Sequence, residues 1–383
     1  MAYINEYNYL SKKKYSIVCL IFTITSILCL IRFQLLVQLH AYSFIFFGIV
    51  FIVLSLNYNF KLNYSFFIII SLALSIAIFF FIFSGNDVDN VIYYIIVFNF
   101  PIIFYFITII MINKIEVNLL INLIKKLLLY FIFYLLIEVI IRYYLGFKEF
   151  KEGSFLNGFY QFKYGTISYI DSNLLALHIL NVMCLMLFLE YITKEKIWFI
   201  YFYILLFFAI MTLSRAVIIT IFCLLYLKHI IKMLRKKNYL RMFFLIIIFF
   251  IITSIVYMLF IKDDASFITK LLFISKLDRV MQYPLLNVLF GFGFSEGGNM
   301  YSTNVTKWGH THITILIGQY GIIGTLLFVL ILLYYLFKTR SNGIYLILAF
   351  LISGFSLMHI NSSFFWVLGI ITVLSQKKQY ILS

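Results

Sequence analysis

The sequence predicts an all-α polytopic membrane protein, on two observations: its composition and its series of apolar segments. Of the 383 residues, 64% are hydrophobic and 11% are charged, whereas soluble chains contain about 45–50% apolar and about 25% charged residues. A soluble protein has too little interior to bury so much apolar surface, so the bilayer is the expected solvent. The net charge of +16 would indicate nucleic acid only if the basic side chains shared an exposed face.

Apolar segments of about 20 residues, the length that crosses a bilayer as a helix, follow one another along the chain. The first follows three lysines and is not followed by an A-x-A cleavage site, which predicts a transmembrane helix rather than a removed signal. The break at 213/214 is tight and the last segment is short, so eleven spans are the alternative to twelve. The predicted helices are 15–32, 35–56, 62–83, 91–112, 127–145, 173–192, 197–213, 214–230, 243–261, 311–337, 344–360 and 363–376.

The Lys and Arg residues of the connections predict the orientation, because cytoplasmic loops carry an excess of both. With the N-terminus inside, twelve spans place both termini in the cytoplasm and put 19 of the 30 basic residues on that side. Only four of the 14 acidic residues share it, so nearly all of the net charge is cytoplasmic. The basic character therefore sets the topology and does not indicate a nucleic-acid partner.

Two connections on the predicted outer side are long, namely 146–172 and 262–310. The longest inner connections are the shorter segments 113–126 and 231–242. Loops of more than about 12–15 residues are usually functional or disordered. We therefore expect a single integral membrane domain over 1–383, with its functional site on the extracytoplasmic face.

The first candidate cluster is Asp171, Ser172 and Asn173, where the first long outer loop becomes a helix. These are preferred N-cap residues, because their side chains bind free backbone N–H groups. Capping is one interpretation. The other is that this helix N-terminus helps to hold an anionic or hydroxyl-rich ligand.

The second candidate cluster is Ser214 and Arg215, between two apolar helices. An Arg within the membrane costs about 2.5–3.5 kcal/mol unless it reaches the interface, pairs with an acid or binds an anion. The planar guanidinium suits diphosphate, so interfacial and anion-binding roles both stay open. Glu138 and Arg142 are four residues apart, and they either pair on one helix face or line a cavity.

The third candidate cluster runs from Arg279 through Gly291 and Gly293 to His310 and His312. Histidines two residues apart do not share a helical face, so we expect no metal site. We also expect no cofactor. Imidazole can accept a proton near neutral pH, although a loop histidine is more often only solvated. Close helix packing explains three later glycines: Gly318, Gly321 and Gly324.

In these stretches the sequence resembles the O-antigen ligase/polymerase superfamily of polytopic glycan-assembly proteins. The resemblance covers about 165–330, and the order of its stretches, with a long outer loop before the last, also fits. Thr311 stands where the family pattern has Asn, and Lys163 stands where its first outer loop often has Arg. The stretches are DSNLLA (171–176), TLSRA (212–216), RVMQYPLLNVLFGFGF (279–294) and GHTHITILIGQYGIIG (309–324).

The resemblance implies a GT-C-like membrane glycosyltransferase, in the cytoplasmic (inner) membrane of a bacterium, that acts on glycans carried by undecaprenyl diphosphate. It implies that Arg215, Arg279 and Lys163 bind the diphosphate, and that His310, or else His312, is the base. Fixed cations can stabilise a leaving diphosphate without a metal. The other cluster residues would bind substrate or hold the fold: Asp171, Asn173, Ser214, Gly291 and Gly293.

The expected activity is polymerisation, in which a growing glycan moves from its lipid diphosphate onto a new lipid-linked repeat unit. Partners would be membrane lipid, a chain-length regulator and a flippase. An O-antigen ligase, with lipid A–core as acceptor, needs the same donor chemistry and is the close alternative. A flippase or transporter is the alternative from another class. It should show charges at the membrane midplane and broken helices, and only Glu138 and Arg142 fit that pattern.

Overall fold

The computed structural model describes residues 12–31, 111–113, 115–149, 172–256, 281–292, 311–339, 342–354 and 362–382, with a few isolated positions such as Tyr105 and Phe162. The long regular elements in these ranges are α-helices, as the sequence predicts. They are α1 Lys12–Leu30, α2 Val117–Glu149, α3 Ser172–Thr193, α4 Ile197–Met211, α5 Arg215–Arg235, α6 Tyr239–Val256, α7 Leu285–Phe290, α8 His312–Lys338, α9 Ile344–Gly354 and α10 Ser362–Leu382.

Two of the described helices contain a stretch long and apolar enough to cross a membrane, namely α3 over its whole length and α8 over Tyr320–Lys338. Their lengths of 22 and 19 residues correspond to about 33 and 28 Å of helix. Shorter apolar stretches lie in α1, α4, α6, α9 and α10. This set of helices agrees with the predicted all-α class and is consistent with an integral membrane protein.

Helix α3 lies at the centre of the described helices and packs against α4, α5, α9 and α10. It is buried on every side from Leu175 to Leu189, as expected of a helix that is apolar all round. Two of its polar side chains form hydrogen bonds to other helices. Asn181 Nδ2 donates to Ser363 Oγ on α10 at 2.8 Å, and His178 Nε2 lies 3.0 Å from the carbonyl oxygen of Leu30.

Helix α2 is longer than the predicted span 127–145 at both ends. It begins at Val117, so most of the predicted inner connection 113–126 is helical, and it ends at Glu149, four residues inside the predicted loop 146–172. The connection 231–242 likewise shortens to 236–238. These loop boundaries were predicted from the ends of the apolar runs, but polar and basic residues such as Lys and Arg can continue a helix.

The tight break at 213/214 is present, because α4 ends at Met211 and α5 begins at Arg215. Leu213 has a φ of 57°, which a continuous right-handed helix does not allow. The predicted spans 35–56 and 62–83 lie outside the described residues, as does most of 91–112. Within the predicted loop 262–310, the longest described segment is 281–292, which contains α7.

Two ion pairs meet at the C-terminal end of α3. Lys228 Nζ lies 2.9 Å from Glu190 Oε2, and Lys125 Nζ lies 2.7 Å from Glu195 Oε2. All four residues belong to segments that the sequence predicts to be cytoplasmic. Both pairs are partly exposed, as expected of long side chains that reach the edge of an apolar layer.

Candidate functional site

The connection between α4 and α5 is held by side chains from α2. The last carbonyl groups of a helix have no partner within the helix, and in a bilayer the protein itself must supply one. Arg142 Nη2 donates to the carbonyl oxygen of Met211 at 2.8 Å, and Tyr143 OH donates to the same oxygen at 3.0 Å. Two consecutive residues of α2 therefore satisfy the C-terminal carbonyl of α4.

The first residue of α3 contacts the same connection. Ser172 Oγ donates to the carbonyl oxygen of Thr212 at 2.9 Å. Thr212 Oγ1 in turn donates to Ala209 O at 2.6 Å and accepts a bond from the amide nitrogen of Ser214 at 3.3 Å. These bonds fix a turn in which Leu213 has left-handed backbone angles, a conformation that costs a non-glycine residue about 1–2 kcal/mol.

Arg215 is the first residue of α5 and is exposed, whereas Ser214 just before it is fully buried. Ser214 O accepts the bond from the amide nitrogen of Ile218, so α5 starts directly after the turn. The N-terminus of a helix is its positive end. The exposed guanidinium of Arg215 therefore stands where a helix terminus also favours an anion.

Arg142 lies beside this connection with an exposed fraction of 1%. Glu138, one turn earlier on α2, is fully buried and interacts electrostatically with it. Two guanidinium nitrogens, Nε and Nη1, have no hydrogen-bond partner within the described part of the chain, and neither does Ser214 Oγ. The sequence suggested the Glu138–Arg142 pair, but nothing in it indicated the backbone carbonyl that Arg142 also binds.

Phe162, from the connection 146–172 that the sequence predicts to be an outer loop, packs on the end of α2. Its ring stacks on Tyr143 with centroids 5.0 Å apart and meets Phe147 edge-on at 5.0 Å. A Cβ at Gly146 would lie 2.6 Å from the Phe162 ring, so the glycine permits this contact. Phe162 therefore lies beside Tyr143, one of the residues that hold the α4–α5 connection.

Helix α7 is joined to α8 through backbone groups at glycines. Gly291, with a φ of 85°, ends α7, and the amide nitrogen of Phe292 donates to Gly318 O at 2.8 Å. Gly321, with a φ of 64°, kinks α8 where the backbone of Leu289 approaches it closely. The described packing therefore gives Gly291 and Gly321 a role in the fold.

Thr311 caps α8. Its Oγ1 accepts a bond from the amide nitrogen of Thr314 at 3.3 Å, and its side chain is buried. His312 is the first residue of α8, so the two candidate histidines flank the cap in sequence. Thr is one of the residues preferred at the N-cap position.

The structure brings together Ser172 and the connection that carries Ser214 and Arg215, while Asn173 is half-buried one residue along α3. Among the described residues, no cluster of three or more His, Cys, Asp or Glu side chains could hold a metal ion. The predicted site residues outside the described ranges are Lys163, Asp171, Arg279, Gly293 and His310.

Comparisons of the chain with models of protein families, with curated proteins and with solved structures find no match. Function is therefore inferred from the chemistry of the residues and from their arrangement. In that arrangement, the cation that the sequence singled out, Arg215, starts a helix whose preceding turn is bound by a second, buried arginine.

Proposed function

We propose that this protein is a membrane glycosyltransferase that polymerises oligosaccharide repeat units carried on undecaprenyl diphosphate. The reaction would take place at the extracytoplasmic face of a bacterial cytoplasmic membrane. In this proposal the chain crosses the membrane about twelve times, and both of its termini lie in the cytoplasm. One lipid-linked glycan is the donor, and a second lipid-linked repeat unit is the acceptor.

The observation that supports this proposal is the pairing of the sequence stretches that resemble the superfamily. The stretch 171–176 meets 212–216 through the Ser172–Thr212 hydrogen bond. The stretch 279–294 meets 309–324 through the bond from Phe292 N to Gly318 O. Stretches that build one functional site must contact each other in the fold. Each of the four stretches that resemble the superfamily contacts another of the four.

The chemistry of the candidate residues fits glycosyl transfer. The bond between the sugar carbon and the diphosphate oxygen breaks, and the same carbon bonds to an acceptor hydroxyl oxygen. The cations Arg215 and Arg279 would stabilise the negative charge on the departing diphosphate. A neutral His310 takes the proton of the hydroxyl, so no metal is needed.

One observation favours a second candidate, a transporter of lipid-linked oligosaccharide. Glu138 and Arg142 are both fully buried within the helices, and buried charges often line pathways through membrane proteins. Arg142 is also bonded to the end of α4, which gives it a role in the fold as well. We therefore place transport second.

The test replaces Arg215 or His310 with Ala and examines the surface polysaccharide of the host cell. If the protein is a polymerase, the variants leave acceptors that carry a single repeat unit. Loss of a ligase instead leaves bare lipid A–core while polymer accumulates on its carrier, and loss of a flippase removes even the single unit. The matched control is Arg241→Ala, an exposed arginine at the start of α6, which should leave chain length unchanged. Normal chain length in both test variants would contradict the catalytic assignment.

A further inference from the structure

The turn between α5 and α6, residues 236–238, lies in the most basic part of the chain. The stretch 228–241 contains six Lys and Arg residues and no Asp or Glu. Lys236 and Lys237 are exposed, and neither side chain has a hydrogen bond or an ion pair to a described residue. Glu190, on the neighbouring helix α3, is already paired with Lys228 at 2.9 Å. The two lysines of the turn are therefore available to an external anion.

Backbone hydrogen bonds fix the turn to both helices. The amide nitrogens of Lys237 and Asn238 donate to the carbonyl oxygens of Leu234 and Met233 at 3.0 and 3.1 Å, which is the Schellman arrangement of a helix end. Lys237 has the left-handed φ of 54° that this arrangement requires. On the other side, Asn238 Oδ1 accepts a bond from the amide nitrogen of Arg241 at 3.4 Å. The two lysines therefore project from a backbone of defined shape.

The length and the exposed surface of α6 place this turn at the level of lipid headgroups. Its 18 residues span about 27 Å, close to the hydrocarbon thickness of a bilayer, about 30 Å. Among the described helices it packs mainly against α5, and Phe243, Phe244 and Phe250 are each more than half exposed. In a bilayer such a surface contacts acyl chains, so the ends of α6 reach the two headgroup layers.

Exposed apolar side chains begin directly beside the two cations. Tyr239 and Leu240 are 59% and 70% exposed, and they are the first two residues of α6. Lysine heads next to an aromatic ring and an aliphatic side chain are typical of the boundary between headgroups and acyl chains. A soluble acidic partner would bind the lysines but leave the apolar surface uncovered, whereas a lipid satisfies both.

We propose that the α5–α6 turn binds the headgroups of anionic phospholipids. Lys236 and Lys237 contact the headgroups, and Tyr239 and Leu240 lie among the first carbons of the acyl chains. Basic residues at a membrane surface attract anionic lipid, and here they hold the start of a helix that packs mainly on one neighbour. The inference rests on the membrane location in the proposed function but not on its enzymatic activity.

The first test measures the affinity of single lipid molecules for the full chain in detergent by native mass spectrometry. The wild type should bind phosphatidylglycerol several-fold more tightly than zwitterionic phosphatidylcholine. The variant Lys236→Gln/Lys237→Gln should reduce this preference about fivefold or more, since each lysine near an anionic surface contributes about that factor. The variant Lys236→Arg/Lys237→Arg keeps both charges and should keep the preference.

The matched control is Lys194→Gln/Lys196→Gln, in the turn between α3 and α4. Both lysines are exposed, the change in net charge is the same, and Lys194 has a φ of 59°, like that of Lys237. They flank Glu195, however, whereas the α5–α6 turn has no acidic neighbour. The control should keep the wild-type preference. An equal loss in both double variants, or no preference in the wild type, overturns the proposal.

The second test locates the lipid in nanodiscs. A bimane label is attached at Leu240→Cys, in a chain whose four native cysteines are changed to Ser, and its fluorescence is quenched by nitroxide-labelled lipids. Nitroxide phosphatidylglycerol should quench more than nitroxide phosphatidylcholine, and Lys236→Gln/Lys237→Gln should remove the difference. At Phe133→Cys, an exposed position on α2, the two lipids should quench equally. Equal quenching at Leu240→Cys overturns the proposal, and quenching by neither lipid there would assign the turn to water and a soluble partner.

The outcomes also separate this inference from the proposed function. Altered chain length in Arg215→Ala and His310→Ala cells, together with no lipid preference at the turn, would reject the lipid surface and keep the polymerase. Normal chain length in those cells, together with a lipid preference that Lys236→Gln/Lys237→Gln removes, would reject the polymerase and keep the lipid surface.

Discussion

The hydroxyl of Ser172 donates a 2.9 Å hydrogen bond to the carbonyl oxygen of Thr212, although 40 residues separate them in the sequence. Both groups are fully buried. The bond fixes the start of α3 against the turn that leads to Arg215. The position of the exposed arginine therefore depends on a serine in a different motif.

Replacing Ser172 with Ala should lower the free energy of unfolding by about 1 kcal/mol, because the Thr212 carbonyl loses a buried donor. Thermal melting in detergent measures the change. Ser254→Ala, at an exposed position in α6, is the matched control and should melt like the wild type. Identical melting of all three proteins would show that the bond contributes nothing to stability.

Asn181 and Ser363 should be coupled in a double-mutant cycle. Each of Asn181→Ala and Ser363→Ala removes the 2.8 Å bond between α3 and α10, and interhelical bonds of this kind contribute about 0.6–2 kcal/mol. The double variant should lose less stability than the two single losses added together. Denaturation by sodium dodecyl sulfate measures all four proteins, and strictly additive losses would contradict the bond.

Gly321→Ala should separate α7 from α8. A Cβ at this position would lie 2.5 Å from the amide nitrogen of Gly291, and the φ of 64° disfavours a side chain. The expected loss is about 2 kcal/mol or more, seen as a lower melting temperature. Thr325→Ala, one turn along the same helix, removes only its bond to Gly321 O and should cost about 1 kcal/mol. A Gly321→Ala protein as stable as the wild type would mean that the two backbones do not approach here.

The orientation can be tested by labelling with an impermeant thiol reagent in intact cells. In a background with the native cysteines changed to Ser, Tyr160→Cys and Gly297→Cys should react, because both positions lie in predicted outer loops. Lys194→Cys, at an exposed position between α3 and α4, should react only after the cells are permeabilised. The opposite pattern would reverse the topology. The background changes are made at Cys19, Cys29, Cys184 and Cys223.

The class of fold and several helix limits follow from the sequence alone, because they depend on local hydropathy. The break before Arg215 is one example, since two polar residues interrupt a long apolar run. The start of α2 is a counterexample: Lys125 and Lys126 suggested a loop, yet the lysines continue a helix and Lys125 pairs with Glu195.

The contacts of the candidate site were less predictable, because the partners are backbone groups. Arg142 and Ser172 bind the carbonyl oxygens of Met211 and Thr212. Every residue has a backbone carbonyl group, so the sequence does not show which one is bound. The one available signal was the rarity of a membrane-depth arginine. It identifies Arg142 as unusual but does not tell which element it contacts.

The central position of α3 has a consequence for how the protein is made. Asn181 leaves the ribosome 182 residues before Ser363, its partner on α10. The bond between these two side chains, and the packing of α10 on α3, can therefore form only after the intervening helices have been synthesised. The packing around α3 is therefore completed late in synthesis, when α10 joins it.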